Sequence, residues 1–184
     1  MFFWTAAAAE IAVLIARAYP SLPISNAINS TLIFNGGDEN QIHLSNARAL
    51  AIALAIIGGF IRAQCYRELG KHFTFELSIH KDHKLVTSGP YSVVRHPSYT
   101  GFSLTTSALC LLHCANGSWA RESGFMSTAF GRIFLLFAVV YWFLVITAMF
   151  PRMREEDREL RRHFGKQWDA WAANVPYSLI PGIA

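Results

Sequence analysis

The chain has 184 residues, enough to build one core, and 53% of them are hydrophobic. The apolar residues are gathered into long runs, which excludes an ordinary soluble domain and indicates membrane spans. The net charge of +4 at pH 7 is therefore read as topology, not as nucleic-acid binding, and the three cysteines, Cys65, Cys110 and Cys114, are odd in number and lack zinc-site spacing, which excludes a disulfide framework and a metal centre.

The first apolar run covers residues 1–19 and contains Glu10 and Arg17. Arg17 follows the apolar stretch, whereas a cleaved signal peptide carries its charge in front, so a first span is expected. Residues 20–46 are polar and turn-rich, with Pro20, Pro23, Gly36 and Gly37 and no Lys or Arg. A second span is expected over 47–69. Within it, Gly58-Gly59 allows close approach of a neighbouring helix, or a bend.

A basic polar loop fills 70–97, followed by a third span over 98–115. The loop at 116–124 leads to a fourth span over 128–150, the clearest apolar run in the chain. Trp4, Trp119 and Trp142 suit interfacial or packed positions. Each span is near the ~20 residues that cross a bilayer.

After Pro151 the tail, 151–184, is highly charged. Met153, Leu160, Phe164, Trp168 and Trp171 place an apolar stripe along a helix, with Gly165 interrupting it. This predicts an amphipathic helix on the membrane surface or against the spans. The expected fold is one all-α integral membrane domain over 1–184: about four transmembrane helices plus a cytosolic amphipathic C-terminal helix.

Of the 16 Lys and Arg residues, five lie between Arg67 and Arg95 and six between Arg152 and Lys166. The positive-inside rule puts both segments, and both termini, in the cytosol. The sequons at Asn29 and Asn116 then face the lumen; the second lies too close to the membrane to suit glycosylation.

Two cytosolic segments carry chemistry-bearing residues. The first runs from His80 to Gly101, HKDHKLVTSGPYSVVRHPSYTG. Pro97 suits the first turn of a helix, where its missing N–H costs nothing. Ser98, Tyr99 and the open amides of that turn can meet a polar ligand. The plainer reading is a membrane-entry loop with ordinary positive-inside charge. In the second segment Arg152 and Glu156 are four apart and share a helix face. Arg152, at headgroup depth, can grip an anion whose lipid part stays in the bilayer. The plainer reading there is snorkelling with a surface ion pair.

GPYSVVRHPSYTG, then R-x-x-x-E, then HFGKQWDAWAANVPYSLIP resemble the isoprenylcysteine carboxyl methyltransferases, over roughly Phe73 to Pro181. The resemblance implies methylation of the C-terminal carboxylate of prenylated cysteine in CaaX proteins. S-adenosylmethionine would be the donor, in a non-Rossmann pocket facing the cytosol at the endoplasmic reticulum membrane. No glycine-rich dinucleotide fingerprint appears, which fits. Carried over residue by residue, the cofactor would touch His83, Lys84, Leu85, Val86, Tyr91, His96, Pro97, Ser98, Tyr99 and Glu156, and Arg152 would meet the substrate. Glu76 stands where the family can have a cofactor-contacting glutamine, a departure that weakens its assignment. His83 and His96 are expected to make contacts, not to act as acid or base.

A carboxylate with a pKa near ~3.5 is already ionised at neutral pH, so no general base is needed. No catalytic residue is expected beyond placement and desolvation. The partners implied are the prenylated cysteine and the bilayer. The chain ends in PGIA, so it is not expected to be its own substrate. Alternatives are a methyltransferase of phospholipid or another small lipid, a non-catalytic membrane paralogue, and an NADPH-dependent sterol reductase. The reductases share RHP-x-Y and the tail pattern. They tend to carry a tryptophan-rich segment at GPYSVV and Arg-Asp at Glu155-Glu156.

Overall fold

The computed structural model describes residues 2–34, 36–70 and 84–183. Among them the chain is helical, without a strand; an isolated bridge pairs Ile180 with Ile183. Three helices fall within two residues of the first three expected spans: α1 (Phe2–Ala18), α3 (Asn46–Leu69) and α4 (Pro97–Cys114). Between α1 and α3 the polar segment is more ordered than its composition suggests. It forms α2 (Pro23–Leu32) and a short 3-10 turn at Glu39–Gln41. Pro23 opens α2, where a missing N–H is harmless.

After the short α5 (Trp119–Glu122), α6 (Ala129–Phe164) starts where the fourth span is expected. It then continues through Pro151 into the charged tail, as one helix of 36 residues. A proline inside a helix forfeits one backbone hydrogen bond; the turns on either side continue regardless. Gly165, with φ +52°, ends α6, and α7 (Lys166–Asn174) starts at the next residue.

α3 and α6 are long and apolar enough to cross a membrane. A soluble protein's core helix hides its apolar face. Here Ile56, Phe60, Ile133 and Phe137 are 60–68% exposed, which water penalises and lipid does not.

The chain divides into two compact units. Unit one comprises Met1–Ala55 and Thr106–Trp142. Its core joins Ala6 and Val13 of α1 to Ile42, Trp119 and Ala120. The two charges of the first apolar run are both satisfied there. Glu10 pairs with Arg48 and accepts the Trp119 backbone N–H at 3.0 Å. Arg17 donates to the carbonyls of Glu39 and Ile42.

Unit two comprises Ile56–Thr105 and Phe143–Ala184. In it α3 and α4 meet at two glycines. A Cβ on Gly58 would lie 2.7 Å from the Gly101 carbonyl oxygen, and one on Gly101 2.7 Å from that of Gly58. Gly59 has open space around it. Close approach is thus the role of Gly58 alone.

Candidate functional site

The site lies within unit two, where the start of α4 meets the middle of α6. A proline keeps the residue before it out of helical conformation. His96 therefore stands just outside α4, and its carbonyl accepts the N–H groups of Tyr99 and Thr100. Its own N–H, and that of Arg95, donate to Ser178 and Tyr177 of the C-terminal segment, each at 2.9 Å. Arg95 reinforces this with its guanidinium, which donates to the carbonyls of Val175 and Pro176 and to Ser178 Oγ. Thr100 Oγ1 donates to the Leu179 carbonyl at 2.6 Å. Trp171 Nε1 donates to the Tyr91 carbonyl, tying α7 to the 3-10 turn at Gly89–Ser92.

From α4, the Tyr99 hydroxyl donates to Glu156 Oε1 at 2.6 Å and accepts from Arg152 Nε at 2.9 Å. Arg152 Nε also lies 3.6 Å from Glu156 Oε1. His96 is the buried member, its side chain 4% exposed, while that of Arg152 is 49% exposed. The imidazole has a carboxylate at each nitrogen: Glu156 Oε2 is 3.4 Å from Nδ1, and Asp157 Oδ1 is 3.2 Å from Nε2. Successive helix residues diverge by about 100°, so consecutive acids on α6 can reach the ring from two sides. The Asp157 contact is an ion pair, not an aligned hydrogen bond. Asp157 Oδ2 in turn lies 3.4 Å from Arg95 Nε.

Burial opposes a charge on His96, but the two carboxylates beside the ring, Asp157 and Glu156, outweigh it, and its pKa is raised. The ring is thus held toward the imidazolium form. A cleft of about 450 Å³ opens beside it, lined by Phe150, Met153, Asp157, Leu179 and Ile180 among others.

Of the residues anticipated from sequence, His96, Tyr99, Arg152 and Glu156 come together. Pro97 and Ser98 share the first turn of α4, and Tyr91 lies in the 3-10 turn anchored by Trp171. Lys84, Leu85 and Val86 lead into that turn without regular structure. Among the described residues, no hydrogen bond or ion pair joins them to the cluster. Glu76 and His83 lie outside the described residues. Arg95 and Asp157 were not singled out from sequence. Each is adjacent to one that was, but their pairing spans too much chain for spacing to reveal.

S-adenosylmethionine carries an ammonium on its methionine part and two hydroxyls on its ribose. Glu156 is an acceptor for such donors, partly exposed and fixed by Tyr99, so these residues fit that group.

Residues 51–162 match the isoprenylcysteine carboxyl methyltransferase (ICMT) family. The chain is 28% identical to protein-S-isoprenylcysteine O-methyltransferase B of Arabidopsis thaliana over 154 residues, 83% of this chain and 66% of that one. It is 31% identical to protein-S-isoprenylcysteine O-methyltransferase of Schizosaccharomyces pombe over 135 residues, 72% of this chain and 49% of that one. A shorter stretch of 106 residues is 31% identical to 7-dehydrocholesterol reductase of Danio rerio, covering 58% of this chain and 18% of the reductase. The chain thus spans 49–66% of the length of these two methyltransferases.

Proposed function

The chain belongs to the isoprenylcysteine carboxyl methyltransferase family, and on that premise we propose that it methylates the C-terminal carboxylate of a prenylated cysteine, using S-adenosylmethionine. The observation that carries this reading is the Arg152–Tyr99–Glu156 cluster, in which one hydroxyl joins a half-exposed cation to a carboxylate. The protein would work in the endoplasmic reticulum membrane with four spans and this cluster facing the cytosol. A polar donor from the cytosol and a prenyl tail from the bilayer can meet there.

Arg152 binds the substrate carboxylate. A bidentate grip would quench the oxygen as a nucleophile; with Nε engaged by Tyr99, the Nε edge of the guanidinium is closed to such a grip. Glu156 orients the cofactor by accepting from its ammonium or ribose, and Tyr99 keeps both side chains in register. His96 supports Glu156 from behind. When bound, S-adenosylmethionine would supply a sulfonium methyl group for transfer to the carboxylate oxygen, with its thioether as the leaving group. The chain's residues need only align that oxygen and exclude water from it.

Purified protein with N-acetyl-S-farnesylcysteine and labelled S-adenosylmethionine should form the labelled methyl ester. A phospholipid acceptor is run in parallel. Label in the phospholipid alone would move the substrate to the other lipid class, and no transfer to either would sink the reading.

The likeness to a sterol reductase motivates a second reading, reduction of a sterol with NADPH. Binding of NADPH without binding of S-adenosylhomocysteine would favour it.

A further inference from the structure

We propose that Asp157, with Arg95, positions the site: shared between Arg95 and His96, its carboxylate holds the imidazole against Glu156 and fixes the segment 175–179 as a wall beside it. This deepens the reading above and rests on it for the role of Glu156.

The geometry carries the assignment. Arg95 makes three hydrogen bonds to the C-terminal segment through its guanidinium and one through its backbone N–H. The same guanidinium faces Asp157 Oδ2 at 3.4 Å, with side chains only 17% and 21% exposed. Asp157 Oδ1 faces His96 Nε2 at 3.2 Å, leaving Nδ1 to Glu156. Without Asp157 the guanidinium would lose its counterion beside the segment it holds. The imidazole would lose one of two anions and could turn from Glu156. The two neighbouring acids of α6 therefore divide the work. Glu156 faces Tyr99 and Arg152, and Asp157 holds the ring and the tail.

A structural acid would hold only the fold, whereas a positioning one also sets the state of His96. Among the described residues, the charged and titratable groups around His96 are Glu156 and Asp157 from α6 and Tyr99 from α4, with Arg95 behind Asp157 and Arg154 of α6 lining the same cleft. The test compares full-length wild type, Asp157→Asn and Asp157→Glu. Thermal unfolding first establishes that each is folded. The His96 titration midpoint is then read by NMR of labelled histidine, without ligand. In Asp157→Asn it should fall by about 1 pH unit, the scale of one lost nearby opposite charge. S-adenosylhomocysteine affinity, by calorimetry, should fall about tenfold, as for loss of one charge-assisted contact. Asp157→Glu, which keeps the charge, should recover most of both.

An unmoved midpoint in folded Asp157→Asn overturns the proposal. So does a lowered midpoint with undiminished S-adenosylhomocysteine affinity. Wild type that binds no S-adenosylhomocysteine overturns the functional reading instead, and the ligand-free titration tells the two failures apart. If Asp157→Asn does not fold, Asp157→Glu decides: a midpoint differing from wild type by more than the Asn shift expected above overturns the proposal.

Discussion

Tyr99 donates to Glu156 across 57 residues of sequence, at 2.6 Å. That bond joins the first turn of α4 to the middle of α6, and the same hydroxyl accepts from Arg152. Tyr99→Phe removes the hydroxyl and leaves the ring beside His96. Activity, as kcat/KM, should fall about tenfold, the scale of one hydrogen bond to a charged group. Steady-state rates checked against an unchanged unfolding temperature separate this from misfolding.

Arg152 is half exposed, so its removal should cost little stability. Arg152→Ala should raise KM for the prenylcysteine about tenfold while changing S-adenosylhomocysteine affinity much less. Initial-rate kinetics and calorimetry give the two numbers. Unchanged substrate kinetics would remove Arg152 from the assigned role.

His96 supplies a pH dependence of stability. Its pKa is raised in the fold above the ordinary 6.5. The folded state therefore holds the proton more tightly. The resulting stabilisation is fully present below about pH 6.5 and is lost as pH rises through the folded value. His96→Gln should thus be most destabilised relative to wild type at low pH. Unfolding of both at about pH 6 and about pH 9 checks this; equal differences at the two values would argue against a charged His96.

The helix contact in unit two makes a sharp comparison between adjacent glycines. Gly58→Ala forces a methyl against the Gly101 carbonyl and should cost about 1–3 kcal/mol. Gly59→Ala meets nothing and should be neutral or stabilising, since alanine favours a helix by ~1 kcal/mol. Thermal unfolding in detergent distinguishes them.

In unit one, Glu10 and Arg48 are mostly buried and paired. Arg48→Met strands the carboxylate and should cost about 3–5 kcal/mol. The double variant Glu10→Leu/Arg48→Met should recover much of that. A double variant as unstable as the single would mean that the other contacts of the pair dominate: Arg48 to the carbonyls of His43 and Gly117, and Glu10 to the Trp119 N–H.

Much of this architecture is legible in local sequence. A long apolar run has few alternatives to a helix once water is absent, since every backbone group must then be satisfied within the segment. The starts of α3, α4 and α6 follow from that alone. Arg152 and Glu156 were paired by their spacing of four, which a helix converts into one face. Ser98 and Tyr99 stand out because a proline-started helix leaves polar groups open at its first turn; His96 was indicated only by the resemblance to the family.

Three features were not legible in local sequence. α6 runs through Pro151, against the local preference of proline, because one lost hydrogen bond is small beside the turns on either side. The polar segment before α3 forms α2, whose Ile28 and Leu32 pack on the unit-one core. Arg95 and Asp157 are joined to each other and to the C-terminal segment by contacts between residues about 60 to 80 positions apart. Side-chain periodicity encodes which residues share a face; it holds no record of which face meets which. The sequence by itself therefore determined α1, α3, α4, the start of α6 and the charged segments, and the resemblance to the family added the members of the cluster that spacing did not mark. Only packing decided that Tyr99 would join Arg152 to Glu156, and that a second acid would hold His96 in place behind them.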